Sequence, residues 1–278
     1  MIIRLGNLLV VAVFTAAVPY NLLNQIQSKP TNISSSKKSL IINGFHAVSQ
    51  RPFFALVRIQ DAADYCGATI IHKFWVITAG HCISTAARGS LHVETGDFRY
   101  ENSKRRKHSV VGWFFPDGFE PRERFKHDLA MVRLLDPIEK TKSILPICKE
   151  LTPYTPCKER MGACGVGSIS DNIKNLSKTL QETYFFESTM LSNSNPYDFR
   201  WCSLQNICVD SGIEGTSICH YDDGGPLYTF KSGTQKPECL YGVASYARSS
   251  GGVRCKGGSY FASVPFFHKW IEKMIEEY

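Results

Sequence analysis

Histidine and aspartate side chains stand beside apolar runs at three separate points of this 278-residue chain. His81 follows the run Phe74–Gly80, Asp128 comes directly before Leu129–Leu134, and Asp223 precedes a Gly-Gly-Pro turn. In acyl transfer a hydroxyl attacks a carbonyl, an imidazole takes the proton of that hydroxyl, and a carboxylate holds the imidazole. A carboxylate is a weak nucleophile toward an amide, and its attack would give a mixed anhydride that readily reverts. The residue types therefore offer a base and an orienting acid without the attacking hydroxyl.

The elements that must position these residues are mostly short strands. From Ile41 onward, runs rich in Val, Ile, Phe and Tyr alternate with breaks rich in Gly, Pro, Asp and Ser, a pattern that predicts β-strands. Many short strands at this spacing favour an all-β sandwich or barrel. One helix is expected from Pro265, because apolar residues then recur on one face every three to four positions. The expected strands are Phe54–Ile59, Thr69–Thr78, Leu91–Glu94, Ser109–Phe114, Leu129–Leu134, Gln181–Phe186, Leu227–Phe230, Leu240–Tyr246 and Tyr260–Val264.

Five motifs follow one another along the chain: Ile41–Gly44, Phe74–Cys82, Asp128–Leu134, Asp222–Pro226 and Gly242–Tyr246. In type and order they resemble the motifs of the chymotrypsin/trypsin-like serine proteases. The resemblance implies two packed six-stranded antiparallel β-barrels, a cleft between them and a C-terminal helix. It also implies that His81 occupies the general-base position and Asp128 the orienting position.

The nucleophile motif departs from the family, which has serine where this chain has Asp223. Loss of the nucleophile from such a triad costs on the order of 10⁶ in rate, or about 8 kcal/mol of barrier. A second carboxylate beside His81 should also favour the imidazolium and raise the pKa of His81, which makes it a poor base. We therefore expect an ion-paired Asp223–His81–Asp128 cluster and a chain that is not an active enzyme.

The oxyanion and pocket positions also depart from the family. Tyr221 replaces a glycine whose backbone N–H helps to stabilise the oxyanion, so its ring should crowd that space or plug the specificity pocket. The alternative is a tyrosine turned to solvent. Ser217 matches the pocket base, where trypsin-like specificity needs an acidic residue, and Ser245 lies in the wall motif. Ala247 and Ser259 stand in place of the two glycines that keep the pocket open.

The residues that the family uses for zymogen activation are present in this chain. The resemblance implies that Asp222 pairs with the amine of Ile41 once the bond between Leu40 and Ile41 is cleaved. The preceding Ser39-Leu40 differs from the usual Lys or Arg cleavage site, although Lys38 lies close by.

The ten cysteines indicate disulfides in an oxidising compartment. The resemblance implies Cys66–Cys82, Cys219–Cys255 and Cys202–Cys208. Four further cysteines allow three pairings, of which Cys148–Cys239 with Cys157–Cys164 is preferred. A zinc site is disfavoured because the paired spacings already match disulfides, so no metal and no cofactor is expected.

The N-terminus has the features of a secretory signal over residues 1–18, with Arg4 ahead of the apolar run Leu8–Phe14 and small residues after it. The run is too short for a membrane anchor. Residues 19–40 read as a pro-segment and 41–278 as the folded domain, with barrels at about 41–150 and 151–264 and a closing helix at 265–278. Removal of residues 1–40, which hold four basic and no acidic residues, would take the net charge from +7 to +3. Nucleic-acid binding gains little support from that charge, and a secreted monomer without membrane attachment is expected.

Surface features suggest binding. Lys104-Arg105-Arg106-Lys107 is the densest charge run, expected in a loop that related proteases use to bind proteins. Arg122, Arg124 and Lys126 could extend a positive face toward an anionic partner, unless the charges are merely solvated. Asn175 begins a glycosylation sequon.

Three functions follow from these features. The first is a secreted pseudoprotease that binds an extracellular protein and interferes with a host proteolytic cascade. The damaged triad and the tyrosine before Asp222 are similar to those of the inactivated serine protease paralogues of scabies mites, a group associated with inhibition of host complement. The second is a non-catalytic cofactor of an endogenous zymogen cascade, as in arthropod protease homologues, although the N-terminal disulfide-knotted domain usual there is not expected. The third is a residual peptidase that uses other groups.

Overall fold

The computed structural model describes residues 44–47, 49–59, 65–101, 104–123, 126–150, 160–168, 176–186, 204–209, 216–247, 255 and 258–278. The expected signal and pro-segment, the bond between Leu40 and Ile41, and Asn175 lie outside these residues. No helix within them is long and apolar enough to cross a membrane.

The first half of the described chain forms a closed six-stranded antiparallel barrel. Its strand order is β2-β3-β4-β7-β6-β5. Alternate residues point inward because side chains along a strand alternate between faces, and Val57, Ile70, Val76, Val93 and Val132 fill the interior. The strands are β2 (Phe54–Ile59), β3 (Tyr65–His72), β4 (Trp75–Thr78), β5 (Leu91–Gly96), β6 (Arg105–Phe114) and β7 (Ala130–Leu134).

The second half forms a seven-stranded sheet in the order β1-β9-β8-β11-β12-β13-β10. The expected all-β fold class is confirmed, with one closed six-stranded barrel, a second antiparallel sheet and a C-terminal helix. Among the described residues the second sheet has seven strands, because the short β1 adds to the edge of β9, where Phe45 pairs with Glu182. The strands are β1 (Phe45–His46), β8 (Arg160–Gly165), β9 (Gln181–Phe186), β10 (Asn206–Val209), β11 (Pro226–Phe230), β12 (Pro237–Ala247) and β13 (Ser259–Ser263).

A helix, α1 (Val264–Glu277), closes the chain as expected. Ser263 caps it by accepting a hydrogen bond from the backbone N–H of Phe266, and a proline lies in its first turn. The helix buries Phe267, Ile271 and Met274 in a core cluster that also contains Trp75 of the first barrel. Each such side chain contributes about 1.5–3 kcal/mol when fully buried.

Two expectations about local structure were wrong. The segment Thr69–Thr78 is not one strand but the end of β3, a turn and β4, with His72 paired to Trp75. The basic run is not a loop, because Arg105–His108 belongs to β6 and Lys107 faces Glu94 across the pair. Opposite charges placed directly across two strands stabilise the pairing.

Candidate active-site cleft

His81 and Asp128 face each other at the rim of the first barrel, just beyond β4 and just before β7. His81 Nδ1 lies 2.8 Å from Asp128 Oδ2, and the backbone N–H of His81 donates to Asp128 Oδ1 over 2.8 Å. Ser245 Oγ, from β12 of the second sheet, donates to Asp128 Oδ2 over 2.5 Å. Burial favours the neutral acid, but the hydrogen bonds and charge of His81, with the Ser245 bond, hold the pKa of Asp128 below its usual value. This is the arrangement that orients an imidazole for proton transfer.

Asp223 lies on the opposite side of His81. Its Oδ2 is 3.9 Å from His81 Nε2, and its side chain is 26% exposed. The backbone of this turn is anchored to the first barrel, because Gly67 N–H donates to the Asp223 carbonyl over 2.7 Å. Gly224 has a positive φ of 79° and would clash with Gly67 if it carried a Cβ. The turn therefore presents residue 223 to His81, and what it presents is a carboxylate.

Tyr221 adopts a left-handed backbone with φ of 70°, a region that disfavours large side chains. Its ring packs against Tyr65 of β3, with ring centroids 5.3 Å apart. Tyr65 is itself fixed by a hydrogen bond from its hydroxyl to the Val166 carbonyl over 3.0 Å. Tyr221 is partly buried and is not among the residues that line the cleft. The ring is therefore held on the first barrel and is not turned freely to solvent, while crowding of the oxyanion space or plugging of the specificity pocket stays a prediction.

Two small polar side chains meet where the resemblance places the base of the specificity pocket. Ser217 Oγ and Ser259 Oγ lie 3.0 Å apart, and both residues are fully buried. Ala247 pairs with Ser259 across β12 and β13, packs against the Cys219–Cys255 disulfide and lines the open cleft.

Asp222 is buried beneath the same turn. Its two oxygens accept hydrogen bonds from the backbone N–H groups of Gly167, over 2.8 Å, and Cys219, over 3.0 Å. Burial raises the pKa of Asp222 to about 7, although these two hydrogen bonds oppose the shift. Gly165 and Gly167 make room for it, since a Cβ at either position would lie within 2.6 Å of Asp222 Oδ1. Its expected partner, Ile41, lies outside the described residues.

The open part of the cleft has a volume of about 360 Å³. Besides the triad positions and the wall from Ser245 to Ala247, it is lined by residues that the sequence did not single out, although Arg122 lies among them in the sequence. They place an aromatic ring and two carboxylates at the rim. These residues are Phe119, Glu120, Pro121 and Glu123, with His220 opposite. No motif marked them, because they come from a loop whose position only the folded barrel defines.

Disulfides brace both sides of the cleft. Cys66–Cys82 and Cys219–Cys255 are formed as the resemblance implied, and Cys148–Cys239 as preferred. The preferred Cys157–Cys164 pair is wrong, because Cys164 is a buried free thiol. Burial, with the nearby charge of Glu182, raises the pKa of that thiol well above its usual value. Cys208 is disulfide-bonded, whereas Cys157 and Cys202 lie outside the described residues.

Two groupings of histidine with cysteines could suggest a metal site. One contains Cys66 and Cys82 beside His81, and the other Cys219 and Cys255 beside His220. In both, the sulfurs are joined in a disulfide, and zinc binds thiolates. Neither grouping offers a metal the ligands it requires.

The positive face expected from the sequence is divided by ion pairs. Arg105 lies 3.7 Å from Glu94 and stacks over the ring of Phe98. Lys126 is 3.0 Å from Glu123 at the cleft rim, and Arg124 lies outside the described residues. The rim segment is therefore of mixed charge.

A closed β-barrel and a second antiparallel sheet, with a cleft between them and a histidine–aspartate pair at its rim, define the chymotrypsin-like class of proteins. The sequence matches the trypsin family over residues 41–271, so the chain belongs to that family. A trypsin of Sarcophaga bullata is 27% identical over 250 residues, which cover 85% of this chain and 89% of that protein. An ovochymase of Halocynthia roretzi is also 27% identical, over 88% of this chain, but the chain spans only 15% of its length. The structure of human heparin binding protein has the same fold, with a TM-score of 0.66 and 23% identity over 86% of this chain and 98% of that one.

Proposed function

We propose that this chain is a secreted, proteolytically inactive member of the trypsin family that acts by binding an extracellular protein. The observation that carries the proposal is the carboxylate of Asp223, 3.9 Å from His81 Nε2, at the place where the family has its attacking hydroxyl. Without that hydroxyl no acyl-enzyme forms. The meeting of Ser217 and Ser259 at the expected pocket base supports the same conclusion, because a serine stands where trypsin-like specificity needs an acidic residue.

Binding is the remaining use of such a scaffold. The closed first barrel and the disulfides Cys66–Cys82, Cys148–Cys239 and Cys219–Cys255 give a rigid support for surface loops, and such disulfides suit an oxidising extracellular compartment. The basic run Lys104–Lys107 is the candidate contact surface for an anionic protein. We place the protein among inhibitors of a host proteolytic cascade such as complement, by its likeness to the inactivated scabies-mite paralogues.

A covalent probe tests the inactivity. A serine-directed phosphonate is added to the purified secreted chain and, as a control, to bovine trypsin, and adducts are detected by mass spectrometry. We expect an adduct on trypsin alone. An adduct on this chain, or peptide-amide turnover that disappears in His81→Ala, would favour the residual peptidase instead.

Capture from plasma tests the partner. The tagged chain is incubated with mammalian plasma, and bound proteins are identified with and without neutralisation of Lys104–Lys107 to glutamine. A matched control replaces exposed lysines of the second half, such as Lys231 and Lys236, which line neither the cleft nor the first barrel. Retention of complement components that only the basic-run variant loses is the expected result. Capture of zymogens from the source organism, but of nothing from plasma, would favour the endogenous cofactor.

A further inference from the structure

A second concave site lies at the open end of the first barrel, formed by different residues from the cleft. It has a volume of about 880 Å³ and is bounded by β5, β6 and the segment that follows β7. The cationic side chains that line it are Lys104, Arg106, Lys140 and Lys142. We call this site the barrel mouth.

Strand alternation decides which basic residues face the mouth. Arg106 pairs with Thr95 and His108 pairs with Val93, whose side chain is in the barrel core. Residues opposite each other in an antiparallel pair share a face, so Arg106 and His108 point along the inside of the barrel. Lys107 takes the outer face with Glu94. The basic run therefore contributes to two surfaces: Arg106 belongs to the mouth, and Lys107 belongs to the outer face of β6.

The charges of the mouth are incompletely balanced. Asp97 is held by Arg99, which donates to its two oxygens over 3.0 and 2.8 Å. Glu139 lies 3.5 Å from Arg106, but both side chains are mostly exposed, so this pair contributes little. Within the described part of the chain, no carboxylate lies within 4.0 Å of the Lys104, Lys140 or Lys142 ammonium group. Three lysines thus line one concavity, and their charges are not neutralised by a described carboxylate.

The lining of the mouth is mixed. Thr95 Oγ1 lies 2.8 Å from His108 Nε2 in a buried contact, and Ser143 lies in the same lining. Pro52, Ile138 and the carbon atoms of the long side chains supply apolar surface. Short hydroxyl-rich sugar units with closely spaced anionic groups match this lining, because they present oxygen atoms to the cations and the carbon faces of their rings to the apolar surface.

We propose that the barrel mouth binds a sulfated oligosaccharide, with its sulfate groups paired to Lys104, Arg106, Lys140 and Lys142. This site is separate from the cleft and does not depend on whether residue 223 can attack a carbonyl. Because Lys104 and Arg106 also belong to the run proposed above to contact an anionic protein, the glycan and that protein would compete for these two side chains, whereas Arg105 and Lys107 on the outer face stay available to the protein.

Direct titration tests the site on the full secreted chain. Dextran sulfate is compared with unsulfated dextran of equal length and with polyglutamate of equal charge. Two mouth variants are used, Lys104→Gln/Arg106→Gln and Lys140→Gln/Lys142→Gln, and the second alters only exposed side chains outside any strand, so it should fold. The matched control is Lys231→Gln/Lys236→Gln, which removes the same charge from the β11–β12 turn of the second sheet. A further control, Lys107→Gln, alters the outer face of the same strand.

Dextran sulfate should bind, and each mouth variant should weaken binding by about tenfold or more, while both controls change it by less than about threefold. Binding should fade as salt rises toward 1 M, where the Debye length falls to about 3 Å. Equal losses in the Lys231/Lys236 control would overturn the proposal, since binding would then follow net charge alone. Equal affinity for polyglutamate or for unsulfated dextran would overturn it as well. Asp223→Ser should leave this binding unchanged, so the result stands apart from the question of catalysis.

Discussion

The two walls of the cleft differ in how firmly the fold holds them. On the first-barrel wall, Asp128 is 4% exposed and accepts hydrogen bonds from the ring and backbone of His81 and from Ser245. On the wall formed by the second sheet, Asp223 keeps a quarter of its side chain exposed and approaches His81 only to 3.9 Å. Replacing Asp128 would leave buried donors without a partner, which is expensive. Replacing residue 223 removes a carboxylate that solvent already reaches, so a smaller loss is expected. The His81–Asp128 side, whose hydrogen bonds also stabilise the fold, keeps the family arrangement. The side that carries residue 223, where the family needs a hydroxyl only for catalysis, does not.

Restoring the hydroxyl is the strongest way to test this difference. Asp223→Ser should react with a small phosphonate, which makes little use of the specificity pocket, whereas the native chain should form no adduct. General-base assistance contributes about 10²–10⁴ in rate, so adding His81→Ala to Asp223→Ser should slow labelling by about a hundredfold. Mass spectrometry over time measures both rates. If a folded Asp223→Ser chain is labelled no faster than Asp223→Ser/His81→Ala, then His81 and Asp128 do not provide general-base assistance either.

Replacing Asp128 and Asp223 separately compares how much each side of the cleft contributes to the free energy of unfolding. Asp128→Ala should lower the free energy of unfolding by about 3 kcal/mol, because it breaks a buried charged network. Asp223→Ala should change it by about 0.5 kcal/mol or less, since the pair with His81 is partly exposed and long. Urea unfolding with the disulfides intact gives both values. Similar losses from the two substitutions would remove the contrast.

The pH dependence of stability reports on Asp222 beneath the turn. Its pKa is about 7 in the folded chain against 3.8 for an ordinary aspartate. Folding therefore takes up a proton between these values, so this residue's stabilising contribution is complete below about pH 4 and falls as pH rises to 7. The slope is about 1.4 kcal/mol per pH unit. The free energy of unfolding is measured against pH for the native chain and for Asp222→Asn, and the difference between the two curves gives the contribution of Asp222. Parallel curves would contradict this prediction. Cleavage that frees the Ile41 amine should abolish the slope if that amine reaches Asp222.

The smallest expected effect concerns the backbone of Tyr221. A left-handed conformation costs a residue with a Cβ about 1 kcal/mol relative to glycine. Tyr221→Ala and Tyr221→Gly both lose the ring contact with Tyr65, but only Ala retains the strain. We expect the Gly variant to be more stable than the Ala variant by about 1 kcal/mol in the same urea experiment. Equal stabilities would show that the turn relaxes when the ring is removed.

Much of the fold was predictable because its signals are local. The strands Phe54–Ile59 and Gln181–Phe186 and the helix with its Ser263 cap follow from residue type and period. Strand β8 was missed because Gly162 and Gly165 resemble turn residues. Their small size instead admits Tyr228 and Asp222, which approach from elsewhere in the chain. No local pattern encodes such a contact.

The sequence by itself determined the family, the order of the motifs and the absence of a hydroxyl at residue 223, because these depend only on residue identity. The tertiary structure alone decided that Ser217 and Ser259 meet, that Tyr221 lies on Tyr65, and that Cys164 stays unpaired. It also divided one basic run between two faces of a strand. The physical reason is the same in each case: these properties depend on distances between residues far apart in the chain, and packing of the two halves sets those distances.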